Sequence, residues 1–405
     1  MSSETVTCCV VGGGPAGMMA ALLLARRGVE VTVLEKHADF IRDFRGDTVH
    51  PSTLELLDEL GLAGRFHQLP VKKAPMFRML TEAGETRITD LREAGLPFPY
   101  IAYVPQWDFL TLLADEARQY PHFRLVTRAE CTGLLQEDGH VTGVRYRTPD
   151  GDHELRARLT VAADGRHSTV RRAAGLRARD LGAPMDVVSF RLPREEDDGD
   201  QPFLRLGTGH LIIGINRGSY WQLGYLIPKK GYRVLEAAGI GELHRRIDGL
   251  LPAFAERMRS IGSFRDTSVL EVQLNRLTRW HRPGLLVIGD AAHAMSPVGG
   301  VGINLAVQDA VAAVNILGTA LRRSQYSGSS LDDSLLGQVQ RRRTPPTVAT
   351  QLFQRAIQAR LIRPALTGSQ AAVPLPLRLM SRFKPSRVAF SRFVAQGFRP
   401  EHVRA

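Results

Sequence analysis

An α/β fold, with a parallel sheet between helices and a second domain on an antiparallel sheet, is what this 405-residue sequence predicts. Three observations carry that reading. Residues 5–35 run strand, helix, strand; residues 185–275 are crowded with short alternating strands; and an apolar strand at Leu285–Ile288 precedes a long helical pattern. Two strands joined through a helix in about thirty residues pair in parallel, because the crossover lays its helix on the sheet face.

The elements follow in order. Thr5–Val11 is an apolar run closing on glycines, a buried strand; Pro15–Arg27 is an Ala/Leu/Met-rich helix stopped by Gly28; Glu30–Glu35 returns as a strand. Pro51–Leu60 and Trp107–Arg118 are amphipathic helices. Cys131–Glu137, Val141–Thr148 and His153–Thr160 alternate as strands, with turns at Asp138-Gly139 and Asp150-Gly151. They form an antiparallel meander inserted in the parallel domain, and Leu159–Ala163 leads back to an Asp-Gly turn. Val187–Leu192, Phe203–Leu206, His210–Ile215 and Tyr220–Ile227 read as strands of the second sheet. Helices Val234–Asp248 and Pro252–Ile261 and the strand Ser268–Leu274 complete that region. A helix from Ile303 to about Arg322 and a Ser/Gly-rich loop at 324–332 follow. The expected division is a discontinuous first domain (1–184 and 276–323), a substrate domain (185–275) and a basic, helical C-terminal region (324–405).

Composition narrows the class. With 43% apolar and 23% charged residues, the chain can bury a core and is not expected to be disordered. Cys8, Cys9 and Cys131 are too few for a disulfide framework and their spacing fits no metal site, so a reducing compartment and no metal are expected. The N-terminal MSSETVTCCVV lacks the pattern of a signal peptide, and no run of eighteen apolar residues is present. A soluble, cytoplasmic protein, monomer or homodimer, is the expectation. The net charge of +12 belongs entirely to residues 341–405, where thirteen basic residues meet one acid, Glu401. A nucleic-acid binder would spread its charge differently. In the tail, apolar residues such as Leu375, Leu377, Leu379, Phe383, Phe390 and Phe393 interleave with arginines. Peripheral contact with an anionic membrane is one reading. A helical cap packed on both domains is the preferred one.

Three motifs carry chemistry. The first is Gly12-Gly13-Gly14-Pro15-Ala16-Gly17, between strand and helix. Glycines let the backbone turn sharply and approach a pyrophosphate on the helix N-terminus. Glu35, at the end of the next strand, can accept bonds from a ribose 2′-hydroxyl and would repel a 2′-phosphate. The second runs from Leu285 through Gly289-Asp290 to Pro297-Val298-Gly299-Gly300-Val301-Gly302-Ile303-Asn304 and opens the long helix. An acid at a strand's carboxyl end can bond a polyol chain, and a second glycine-rich helix start can face an electron-poor ring. One dinucleotide gripped by segments this far apart points to FAD. The third is Ala163-Asp164-Gly165-Arg166-His167-Ser168, again an acidic strand end before a helix start.

Together, from about Thr5 to Leu321, these motifs resemble the class A flavoprotein monooxygenases, the para-hydroxybenzoate hydroxylase family. The resemblance implies that Gly12, Gly14, Pro15, Ala16 and Gly17 bind the pyrophosphate of a non-covalent FAD, with Glu35 and Lys36 at the adenosine. It places Arg45 over the phosphates, Gln106 near the ribityl chain, and Asp164 and Gly165 at both FAD and the nicotinamide donor. Asp290 would hold the ribityl and pyrophosphate region. Gly300, Gly302, Ile303 and Asn304 would follow the flavin's pyrimidine edge, with the Pro297 carbonyl near the reactive face. Val301 stands where the family often has Gln, and Ser52 or Thr53 where it has an arginine. His50 is a candidate to face flavin or substrate, whereas His293 reads as part of the fold pattern. In the strand after Gly218, alternation separates Tyr220 and Gln222 from Trp221; one of these faces should form a substrate floor or plain core.

The implied chemistry is oxidation of NADH or NADPH, formation of a C4a-(hydro)peroxyflavin from O2, and hydroxylation of an aromatic, polycyclic or quinone-like substrate. An FAD oxidase or a prenyl-type reductase would share the nucleotide motifs, and a non-enzymatic flavin carrier is a further alternative. The Trp-x-Trp-x-Ile-Pro segment of flavin-dependent halogenases is absent.

Overall fold

A computed structural model describes residues 4–41, 48–82, 84–368 and 383–404. Arg45 and the tail residues Leu375, Leu377 and Leu379 lie outside the described residues.

Strand β1 (Glu4–Val11) is followed by helix α1 (Pro15–Arg26) and strand β2 (Val31–Leu34). β1 sits between β2 and the strand Gly151–Ala162, parallel to both; Val10 pairs with Val33 on one side and Val161 on the other. Residues 123–126 extend the sheet beyond β2, and residues 285–287 and 281–282 extend it beyond Gly151–Ala162. Successive strands therefore run outward from β1 in opposite directions. A crevice opens above the carboxyl ends at that reversal, where ligands bind in such sheets.

β1 is apolar without alternation because both of its faces are covered. Cys8 and Val10 enter a core shared with α1 and the long helix Gly302–Ser327; Cys9 and Val11 enter a second core under the meander. Burial pushes the Cys8 thiol up to about 12, which leaves it a small inert hydrophobe. The long helix matches a membrane span by length and composition, yet 72% of its most apolar window is buried inside the fold.

The third meander strand is longer than its pattern suggests. It covers Gly151–Ala162; its residues pair antiparallel with His140–Thr148 and, on the other side, parallel with β1. One strand thus belongs to both the meander and the parallel sheet. The expected helix Val234–Asp248 is two, Tyr232–Ala237 and Ile240–Leu250, broken at Gly239 with φ +86°.

The second sheet has seven strands, in the order 268–270, 185–193, 220–228, 210–216, 203–207, 76–81 and 84–90. The last two form a hairpin, Met76–Thr81 with Gly84–Asp90, that comes from outside residues 185–275. One face of the sheet carries helices 232–237 and 240–250 over a core containing Trp221 and Phe203. The chain enters and leaves this region through paired strands, Ala178–Asp180 against Asn275–Leu277.

The C-terminal region is helical: Ser334–Ile357, a π-turn at Gln358–Ile362, Arg363–Leu366, and Lys384–Gln396. Some of its charges are anchored. Arg343, 1% exposed, donates to Asp309 at 2.9 Å and to Glu401 at 3.4 Å. Phe390 and Phe393 turn inward, onto the cavity described next.

Candidate flavin and substrate site

One cavity of about 1200 Å³ extends from the crevice over β1 to the face of the second sheet opposite helices 232–237 and 240–250, where Leu361, Ile362 and Ala365 also pack. Its first end is built by the glycine loop. Gly12 has φ +104°, and a Cβ there would lie 2.5 Å from the Ala163 carbonyl oxygen. At Gly17 a Cβ would lie 1.9 Å from the Gly12 oxygen, so helix and strand close directly on each other. Gly14 differs. It is the N-cap of α1, has no side-chain cap, and a Cβ there meets nothing within 4 Å. The uncapped N-terminus of a 12-residue helix faces this open space, as an anionic group requires.

Glu35 closes the loop's other side. Its carboxylate accepts the Gly13 N–H at 2.8 Å and the His37 N–H at 3.0 Å. Lys36 and Gln106 also line the cavity, Gln106 as the first residue of helix Gln106–Ala117.

Asp164 and Gly165 line the cavity as well, and the Asp164 carboxylate also serves its own turn. One carboxylate oxygen accepts from the Ser168 hydroxyl at 2.5 Å and the other from the Val170 N–H at 3.1 Å. Asp164 thereby supports Ser168, the N-cap of the short helix Thr169–Ala173, and burial pushes its pKa up. Asp290 remains half-buried in the cavity wall, 3.2 Å from the Arg166 guanidinium.

The second glycine loop enters from the opposite side. Gly299 and Gly300 have φ +80° and +63°, and a Cβ on Gly300 would lie 2.5 Å from Thr48 Oγ1. The long helix starts just beyond, at Gly302, with no side-chain cap and open space at that glycine. Asn304 is engaged within the protein. Its Oδ1 accepts from the His50 N–H at 2.9 Å and the Thr53 hydroxyl at 2.7 Å, tying residues 48–53 to the helix. The Pro297 carbonyl accepts from the Gly300 N–H at 3.0 Å.

His50 is 2% exposed. Its Nδ1 lies 2.9 Å from the Val394 carbonyl, and a carbonyl only accepts, so Nδ1 carries the hydrogen. Burial lowers the ring's pKa, against the backbone of Val394, Gly299 and Gly300, and among the described residues Nε2 meets no partner at hydrogen-bond geometry. His293, 1% exposed, bonds Asp309 at 2.6 Å and lies against Trp280.

The far end of the cavity is apolar. Val187, Leu204, Ile213 and Leu226 face Phe353, Phe390 and Phe393 across it. Gln222 lines the wall and accepts from Arg217 at 2.9 Å. Trp221 does not. Alternation turns it to the helix-covered face, where it is fully buried and donates to Asp198 at 2.9 Å. The Tyr220 ring packs under the Arg191 guanidinium, 5.2 Å away, and is not part of the lining. Sequence reasoning also missed Arg217 and the three phenylalanines as wall residues. Phe390 and Phe393 stood in the tail at a helical spacing that signals burial without naming the partner.

Two uncapped helix starts, an acid at the end of β2 and another after the strand 285–287, all around one cleft, fit a dinucleotide with a polar middle and a flat ring. Fold and site together define a flavoprotein oxidoreductase. The model of the FAD binding domain family matches residues 5–355, and the chain belongs to that family. It is 36% identical over 400 residues to 6-methylpretetramide 4-monooxygenase of Streptomyces rimosus, covering 98% of this chain and 94% of the relative. Para-nitrophenol 4-monooxygenase of a Pseudomonas strain is 25% identical, with 80% of each chain covered. Among solved structures, the anhydrotetracycline hydroxylase OxyS of Streptomyces rimosus superposes with a TM-score of 0.75 at 23% identity, covering 97% of this chain and 76% of that one. PqsL of Pseudomonas aeruginosa, in complex with 2-aminobenzoylacetate, gives 0.74 at 20%, with 90% and 97% covered. The chain is accordingly an FAD-dependent monooxygenase of the para-hydroxybenzoate hydroxylase type.

Proposed function

We propose that this enzyme oxidises NADH or NADPH and places one atom of O2 on a fused-ring aromatic substrate. The observation that carries the reading is the single cavity, which joins the two glycine loops to a chamber walled by aliphatic and aromatic side chains. A chamber of this kind suits a flat, extended ring system. The names of relatives support the same class, since the first acts on 6-methylpretetramide.

Bound at the glycine loops, FAD would supply acceptance of hydride from the nicotinamide and activation of O2. The chain's own residues supply placement. The N–H groups that open α1 would hold the FAD phosphates, Glu35 the adenosine ribose, and Asp290 the ribityl region. The helix start at Gly302 would present its positive end to the ring, where negative charge is favoured. The apolar chamber excludes water, which protects a reactive oxygen species from loss as peroxide. Substrate binding should then gate reduction, because reduced flavin without a substrate in place is wasteful.

A screen of phenols, quinone precursors and fused-ring aromatics for stimulation of nicotinamide oxidation tests this, with labelled O2 in the positive cases. One labelled atom in the product is expected. Stoichiometric peroxide without label makes the protein an oxidase, and turnover without oxygen makes it a reductase.

A further inference from the structure

The helix Ser334–Ile357 carries three glutamines that bond to the backbone of the segment returning to the flavin site. Gln340 accepts from the Trp280 N–H at 3.0 Å and donates to the Thr278 carbonyl at 2.9 Å. Gln351 donates to the Asn275 carbonyl at 2.8 Å. Gln354, fully buried, meets the second glycine loop. Its amide nitrogen donates to the Ser296 carbonyl at 2.8 Å and the Val298 carbonyl at 2.9 Å, and its oxygen accepts the Ser296 N–H at 3.2 Å. One side chain thus uses both amide hydrogens and its carbonyl on a single loop.

That loop needs such a partner. It reads Ser296-Pro297-Val298-Gly299-Gly300, with two glycines at positive φ and few side chains to anchor it. Glycine-rich backbone loses more freedom on ordering than any other. On one side Thr48 holds the Gly300 carbonyl at 2.7 Å, and Gln354 holds the other end. The loop lies in the cavity wall between the helix start at Gly302 and the apolar chamber.

We infer that Gln354 is a positioning residue: it fixes the loop that faces the flavin ring, without touching cofactor or substrate. This rests on the reading that the cavity holds FAD. The group is specific to the task. A glutamate would aim lone pairs at two carbonyls, and an asparagine is one methylene too short to span them.

The test compares Gln354→Leu and Gln354→Glu with Gln340→Leu, which removes bonds of the same chemistry on the same helix, away from the loop. In both Gln354 variants, hydrogen exchange at the Val298–Val301 amides should accelerate about tenfold, the consequence of losing anchors that hold a loop closed. Bound FAD should stay at one per chain, because the Gly12–Gly17 site is untouched, while its visible absorption band shifts. Gln340→Leu should lower thermal stability and leave exchange in the loop and the flavin spectrum as in the parent. If the Gln354 variants match Gln340→Leu on exchange and spectrum, the inference is overturned. If the parent takes up no FAD, the functional reading fails by itself, and the exchange comparison still decides the role of Gln354.

Discussion

Two glycines two positions apart in the first loop, Gly12 and Gly14, meet different demands. At Gly12 an added Cβ would strike the Ala163 backbone at 2.5 Å while φ stands at +104°, and backbone cannot step aside. Gly12→Ala should therefore cost about 3 kcal/mol or more of folding stability, visible as a lowered melting temperature even without FAD. Gly14 faces open space, so Gly14→Val should fold with a near-parental melting temperature and bind no FAD, measured as flavin released on denaturation. Equal flavin content in Gly14→Val and the parent would contradict the pyrophosphate assignment. Asp290→Ala should weaken flavin binding by loss of a charge-assisted bond of roughly 1.5–3 kcal/mol. His50 gives a pH signature. Burial lowers its folded pKa, so its contribution to stability is present above the unfolded value, near pH 6.5, and is lost as pH falls toward the folded one. The melting temperature of the parent should fall between about pH 7 and pH 5 more steeply than that of His50→Gln. The glycine and acid positions were legible because they answer local backbone demands. The side-chain bonds of Asn304 to His50 and Thr53 were not, since those partners lie about 250 residues away and only the folded chain supplies them.

Among the elements, the C-terminal segment stands out for how much it holds together. Glu401, 4% exposed, bonds Arg342 and Arg343, and Arg343 continues to Asp309 and His293 beside the Asp290 turn. Burial pushes the Asp309 carboxyl up, but His293 and Arg343 outweigh it and hold it below the ordinary carboxylate value. Arg343→Met removes one partner of this chain and leaves Asp309 buried with less compensation, at a cost of about 3–5 kcal/mol. Chemical denaturation at neutral pH measures it, and a loss under about 1 kcal/mol would show that the pair is dispensable. The basic tail and its packing as a helical cap could be read from the sequence, but the cavity that Phe390 and Phe393 line could not. The hairpin Met76–Asp90 escaped for a related reason. Alternation marks a strand as half-buried and leaves open which sheet, far along the chain, it will join. Trp221 and Gln222 show the same limit, because their strand has helices on one face and the cavity on the other.

For the whole molecule, the proposed cofactor site is drawn from residues 12–17, 35, 290 and 300–304, so it would exist only once the parallel sheet is assembled. Saturating FAD should stabilise the protein by about 2.7 kcal/mol at a hundredfold excess over Kd. Exchange of substrate preference has an equally definite boundary. The chain passes into and out of residues 185–274 through one two-stranded ribbon, so the ends of that stretch lie side by side. Such an arrangement invites transplantation between relatives as a cassette. The transplant must however bring Met76–Asp90 with it, because Phe203–Leu204–Arg205 pairs in parallel with Arg78–Met79–Leu80. A graft of 185–274 alone would set a foreign strand against the host's hairpin and leave that seam mismatched. Recombination in this fold is thus a two-piece operation, and the second piece ends at Asp90, well upstream of the first at Met185.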